Sequence, residues 1–132
     1  MSKRENRLLT SALLKDLTPY PLGAQETTQI PDLLAVAVMR IGSIRWYIIE
    51  GSQEGDRFTF FTLVCGMGAE PELGYTDADE LASVAVDCAR YGFPGAVCRV
   101  EIDDDFTPCR LADLEDEDVQ EYCRHFIASE KN

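Results

Sequence analysis

Residues Leu33 to Ile41 form an almost continuously apolar run, closed by Gly42-Ser43 and followed at once by a second strand-like stretch, Ile44 to Glu50. An apolar run of strand length without polar alternation reads as a strand buried on both faces. A two-residue connection with glycine first suits a tight hairpin. In the second arm Ile44, Trp46 and Ile48 fall on one face and Arg45, Tyr47 and Ile49 on the other. Gly51 to Asp56 reads as a polar loop, and Arg57 to Cys65, rich in Phe and Thr, as a third strand. The Phe60-Phe61 pair breaks alternation there, so either both faces are covered or a bulge sits at that point. These segments predict an antiparallel meander.

Helices are expected around it. Thr10 or Ser11 can cap a short helix, Ala12 to Leu17, with Leu13, Leu14 and Leu17 on one face, ended by Pro19 and Pro21. Leu22 to Asp32 and Gly66 to Tyr75 read as loops. Thr76 or Asp77 then opens a helix carrying Leu81, Val84, Ala85 and Cys88 at helical spacing, with Gly92 as its C-cap. Ala96 to Ile102 alternates as a fourth strand, its partner open. The last helix, about Asp116 to Ala128, aligns Val119, Tyr122, Cys123, Phe126 and Ile127 in one apolar stripe behind an acidic first turn. The expectation is one α+β domain over residues 1–132, a small antiparallel sheet with about three helices packed on one side and Met1 to Arg7 flexible.

Charge narrows the partners. The net charge is −12. Up to Gly68 the chain carries seven acidic and seven basic residues, so the imbalance lies wholly beyond that point. Such a field repels nucleic acid and anionic membrane, and favours a basic protein partner or simple solubility. No apolar stretch is long enough to span a bilayer and no secretory leader is legible, so a cytoplasmic setting is expected. Five cysteines, an odd number without clustering, read as small buried or half-buried thiols.

Catalytic and metal signals are weak. His125 is the only histidine. Paired with Cys109 or Cys123 it could serve a thiol nucleophile, but Cys123 and His125 are two apart on one helix and point in different directions. Cys98, Cys109, Cys123 and His125 have zinc-ligand chemistry without zinc-ligand spacing. Glu101, Asp103 and Asp105 could share one side of a strand end and draw a hard cation, but they lack the glycine-bearing calcium-loop pattern. Gly66-Met67-Gly68 completes no nucleotide fingerprint. Arg45-Trp46-Tyr47 and Arg57-Phe58 alternate faces and make no nucleic-acid surface against the overall charge. No cofactor is expected.

Leu8-Leu9-Thr10, Trp46-Tyr47, Phe60-Phe61-Thr62-Leu63-Val64, Glu72-Leu73-Gly74-Tyr75, Asp79-Glu80-Leu81 and Ile102-Asp103-Asp104-Asp105-Phe106-Thr107-Pro108 with Leu111 resemble an uncharacterised bacterial family known only as a domain of unknown function (number 2958). The resemblance spans roughly Leu8 to Leu114. The chain departs from that pattern in a longer insert at Gln25 to Leu34, in more cysteine, and in the acidic helix after Leu114. Members are often encoded on plasmids, phages and integrative elements, so the resemblance implies an accessory protein of mobile DNA and no assigned activity. Together with the charge, it points to a non-enzymatic interaction module, an acidic inhibitor or decoy of a basic, nucleic-acid-handling host or element-encoded protein. The expected contact residues are Glu70, Glu72, Tyr75, Asp103, Asp104 and Asp105. The rival reading is a small enzyme that uses the Asp103 to Asp105 cluster, with or without a divalent metal.

Overall fold

The computed structural model describes residues 6–68 and 70–130. The basic start, residues 1–5, lies outside the described residues. Asn6 and Arg7 are tied down: Asn6 donates to Asp79 at 2.9 Å, and Arg7 donates to the carbonyls of Val100 and Ala82.

Helix α1 runs Ser11–Leu17, and the hydroxyl of Thr10 caps it by accepting from the Leu13 N–H. Leu13 and Leu17 are buried, whereas Leu14 is 38% exposed and lies off their face. The apolar run beginning at Leu33 is two strands, β1 (Leu34–Ala35) and β2 (Ala37–Ile41), with Val36 between them donating its N–H to Ile48. Then come β3 (Ile44–Glu54), β4 (Arg57–Cys65) and β5 (Glu72–Asp77). Helix α2 (Ala78–Ser83), β6 (Ala85–Asp87), β7 (Val97–Arg99), β8 (Glu101–Ile102), β9 (Cys109–Arg110) and α3 (Glu117–Glu130) follow. Single 3-10 turns lie at Ile30–Asp32, Cys88–Tyr91 and Leu111–Asp113.

The main sheet has the order β5-β4-β3-β2-β8 and every pairing is antiparallel. β1 pairs with β9, and β6 with β7, as two small ribbons. The architecture is α+β, as the patterning predicts, but helices cover both faces rather than one. One core, with Met39, Trp46, Ile48 and Phe60, lies under α1 and α2; the other, with Val38, Tyr47, Ile49 and Leu63, lies under α3. Successive residues of β2 and β3 therefore enter opposite cores, which is why their sequence does not alternate with polar residues.

A bulge is present, but on the facing strand. Ile48 opposes Thr62 and Glu50 opposes Phe61, so Ile49 is the extra residue. The bulge puts Ile49 and Glu50 on one side and leaves Gly51 facing α1. There an added Cβ would stand 2.8 Å from the Phe58 ring and 3.0 Å from Leu17, so only glycine admits the helix this close. The segment from Gly51 stays in the strand as far as Glu54, and the turn is made at Gly55, with φ of 65°.

Three further expectations are corrected. The loop before Thr76 contains β5, because Leu73, Gly74 and Tyr75 pair with Leu63, Thr62 and Phe61. The helix opened at Asp77 stops at Ser83: Val84 is extended and Val86 pairs with Cys98 in the β6–β7 ribbon. β-branched residues already disfavour helix, and the ribbon decides the conformation. The cysteines are not all thiols, since Cys88 and Cys98 form a disulfide across that ribbon, with Cα atoms 5.4 Å apart.

Candidate interaction surface

Glu70, two residues before β5, and Glu72, its first residue, are exposed, and Tyr75 is 72% exposed at its middle. The Tyr75 ring lies 5.2 Å from that of Phe61 on β4, a tilted cross-strand aromatic pair. On its outer side β5 has no neighbouring strand among the described residues. The sequence signals turn chemistry over this region, and β5 is short and only half-buried, so its pairing could be read only from the tertiary structure.

Asp103 to Asp105 lie at the other edge, just past β8. Four strand spacings separate the two edges, roughly 19 Å. The six expected contact residues are thus two groups and not one surface. The aspartate run has its own local role. Asp103 accepts from the Asp105 N–H at 2.9 Å, an Asx turn, and its other oxygen lies 3.7 Å from Arg40. Among the described residues no three His, Cys, Asp or Glu side chains gather as metal ligands. Zinc-type chemistry loses Cys98 to the disulfide, and Cys123 is buried while His125, two residues on, is exposed.

Much of the remaining acidity is structural. Asp77 caps α2 and pairs with Arg57 at 2.6 Å; that hydrogen bond holds its carboxyl below the usual range. Asp87 caps the turn at Cys88–Tyr91. Arg110 binds Asp32 and Asp113.

The largest polar cluster was not foreseen from sequence. Asp116 accepts from Arg45 Nε at 3.0 Å and Nη2 at 2.8 Å, from the Tyr47 hydroxyl at 2.5 Å, and from the N–H groups of Asp118 and Val119 at the start of α3. Arg45 Nη2 also reaches Asp118 at 2.9 Å. Burial works against the Asp116 carboxylate, but its hydrogen bonds from Tyr47 and Arg45 prevail and hold its pKa low. Burial likewise opposes the Arg45 charge, and Asp118 and Asp116 overcome it. Burial and the Asp116 acceptor push the Tyr47 phenol up. Cys65, close by, is pushed to about 12, first by burial and then by Asp116, which makes it a poor nucleophile. Burial raises Cys109 and Cys123 as well. The cluster fastens α3 to the sheet.

Glu50, freed from alternation by the bulge, accepts from the N–H groups of Gly23 and Gln25 at 2.8 and 2.6 Å. The Gln25 amide in turn bridges Leu34 and Ile49. These buried groups fix the 22–32 segment against the sheet and are fully occupied in doing so.

No helix among the described residues is long and apolar enough to cross a membrane. No protein-family model, no curated protein and no solved structure matches the chain.

Proposed function

We propose that this chain is a non-enzymatic protein-interaction module that meets a basic partner along the β5 edge. The observation that carries this reading is the outer flank of β5, which has no neighbouring strand among the described residues and along which Glu70, Glu72 and Tyr75 are all exposed. Tyrosine offers a large contact area at small entropic cost, and carboxylates along the same edge select cationic partners and speed encounter. The net charge of −12 disfavours nucleic acid as the direct ligand.

The biological setting we propose is an accessory role in bacterial mobile DNA, as inhibitor or decoy of a basic, nucleic-acid-handling protein. Its support is the resemblance carried by Glu72-Leu73-Gly74-Tyr75 and the other stretches named above. Asp103 to Asp105 are given no part in the contact, since they stand at the far edge and hold their own turn.

The test is capture of basic proteins by the immobilised chain at low and at high salt, beside a Glu70→Lys/Glu72→Lys variant. Capture lost at high salt and lost in the variant is the expected result. Capture that is equal in both chains removes β5 from the contact.

A further inference from the structure

We infer that β5 accepts an extended basic segment as a sixth strand of the main sheet. The inference rests on the interaction reading above and specifies how that edge binds.

The backbone sets the direction. Thr62 Oγ1 donates to the carbonyl of Gly74 at 3.2 Å, so that carbonyl faces β4. Thr62 and Gly74 are register partners. In an antiparallel ladder a residue turns its N–H and C=O the same way, and its two neighbours turn theirs the opposite way. Leu73 and Tyr75 therefore point their N–H and C=O groups away from β4. No turn, loop or cap hydrogen bond from elsewhere among the described residues engages the backbone of Glu72 to Asp77. Two donors and two acceptors line the open edge, spaced as a further strand requires.

The opposite edge offers less. β8 has two residues and ends in the Asp103 turn. β5 has six, with Tyr75 in the middle of the outward-facing row.

Charge selects the occupant. Residues 70–80 contain Glu70, Glu72, Asp77, Asp79 and Glu80 and no basic residue. Asp77 is held by Arg57 and Asp79 by Asn6, while Glu70, Glu72 and Glu80 are exposed. A second copy would bring the same carboxylates against these, which disfavours self-pairing. An extended segment alternating cationic and apolar residues would satisfy the backbone, place cations beside the glutamates and lay an apolar side chain against the Phe61–Tyr75 pair.

The test uses the full chain and an eight-residue peptide alternating lysine and valine, beside the same peptide N-methylated at alternate residues. Affinity is read by calorimetry and amide protection by NMR. The expected result is binding of the unmodified peptide, new protection at Leu73 and Tyr75, and about tenfold weaker binding after N-methylation. Tyr75→Pro, which removes one outward donor at an edge position that tolerates proline, should weaken binding more than Tyr75→Ala, which removes only the ring. Equal affinity for the two peptides, protection outside β5, or no peptide binding overturns the sheet extension. The interaction reading survives those results if salt-sensitive capture of basic proteins still depends on Glu70 and Glu72, and falls with it if that capture is also absent.

Discussion

The hydroxyl of Tyr47 on β3, the central strand of the main sheet, donates to the same Asp116 carboxylate that caps α3. Strand and helix are thereby joined through one side chain, which Arg45 also holds. Tyr47→Phe should lose about 1.5–3 kcal/mol, as expected for a hydrogen bond to a charged group. Asp116→Asn should lose at least as much, because Arg45 and Tyr47 both lose a charged acceptor. Urea unfolding of the two single variants and the double variant should show strong non-additivity; additive losses would mean the two residues act separately.

Acid should loosen the same junction. The folded pKa values of Asp116 and Asp77 lie below their ordinary values. The stability they contribute is thus complete above the unfolded value of about 3.9 and is lost as pH falls through their lower folded values. Unfolding free energy followed downward from pH 5 should drop, and the drop should be smaller in Asp116→Asn. An equal drop would assign the acid sensitivity to other carboxylates.

Gly51 is predicted to resist enlargement. Gly51→Ala drives a methyl group into Phe58 and Leu17, and overpacking of this kind costs about 1–3 kcal/mol. An unchanged urea midpoint would show that α1 shifts freely at this contact.

Denatured without reductant, the chain should present three titratable thiols, Cys65, Cys109 and Cys123, and five after reduction. Opening the Cys88–Cys98 link, which spans a sequence separation of 10, should cost about 2–3 kcal/mol on the chain-entropy account. Five thiols without reductant would leave the β6–β7 ribbon held by pairing alone.

For the partner contact, neutralising Glu70 and Glu72 should slow association at low salt, whereas changing Asp103, Asp104 and Asp105 together to Asn should leave the rate nearly unchanged. Stopped-flow rates against a basic peptide decide it; the reverse order would return the contact to the β8 edge.

The β2–β3–β4 meander, the Thr10 cap and the last helix were legible because each is written in local pattern. The apolar run at Leu33 even carried its two-sided burial. What escaped was what depends on distant partners. β5 looks like a loop until Phe61 and Leu63 are set beside it, and Val84 to Cys88 read as helix until Cys98 is brought opposite. Of the candidate residues, Glu70, Glu72 and Tyr75 belong to one sheet edge, but the sheet order that removes Asp103 to Asp105 from them cannot be read from spacing. Asp116 looked like ordinary acidic capping. Its second duty needs Arg45 and Tyr47, about seventy positions earlier.

The two-sided burial of the sheet also bears on how the chain is made. β9, the turn at Leu111–Asp113 and α3 all follow the last strand of the main sheet. Until they leave the ribosome, Val38, Tyr47, Ile49 and Leu63 lack the cover of Leu111, Leu114, Val119 and Cys123, and a nascent chain stopped before Leu111 presents a largely open apolar sheet face. The meander can pair early, but β1 must wait for Arg110 to meet Leu34. Closure of this face therefore waits on the segment from Cys109 onward, and until it packs the exposed apolar surface is open to misassociation.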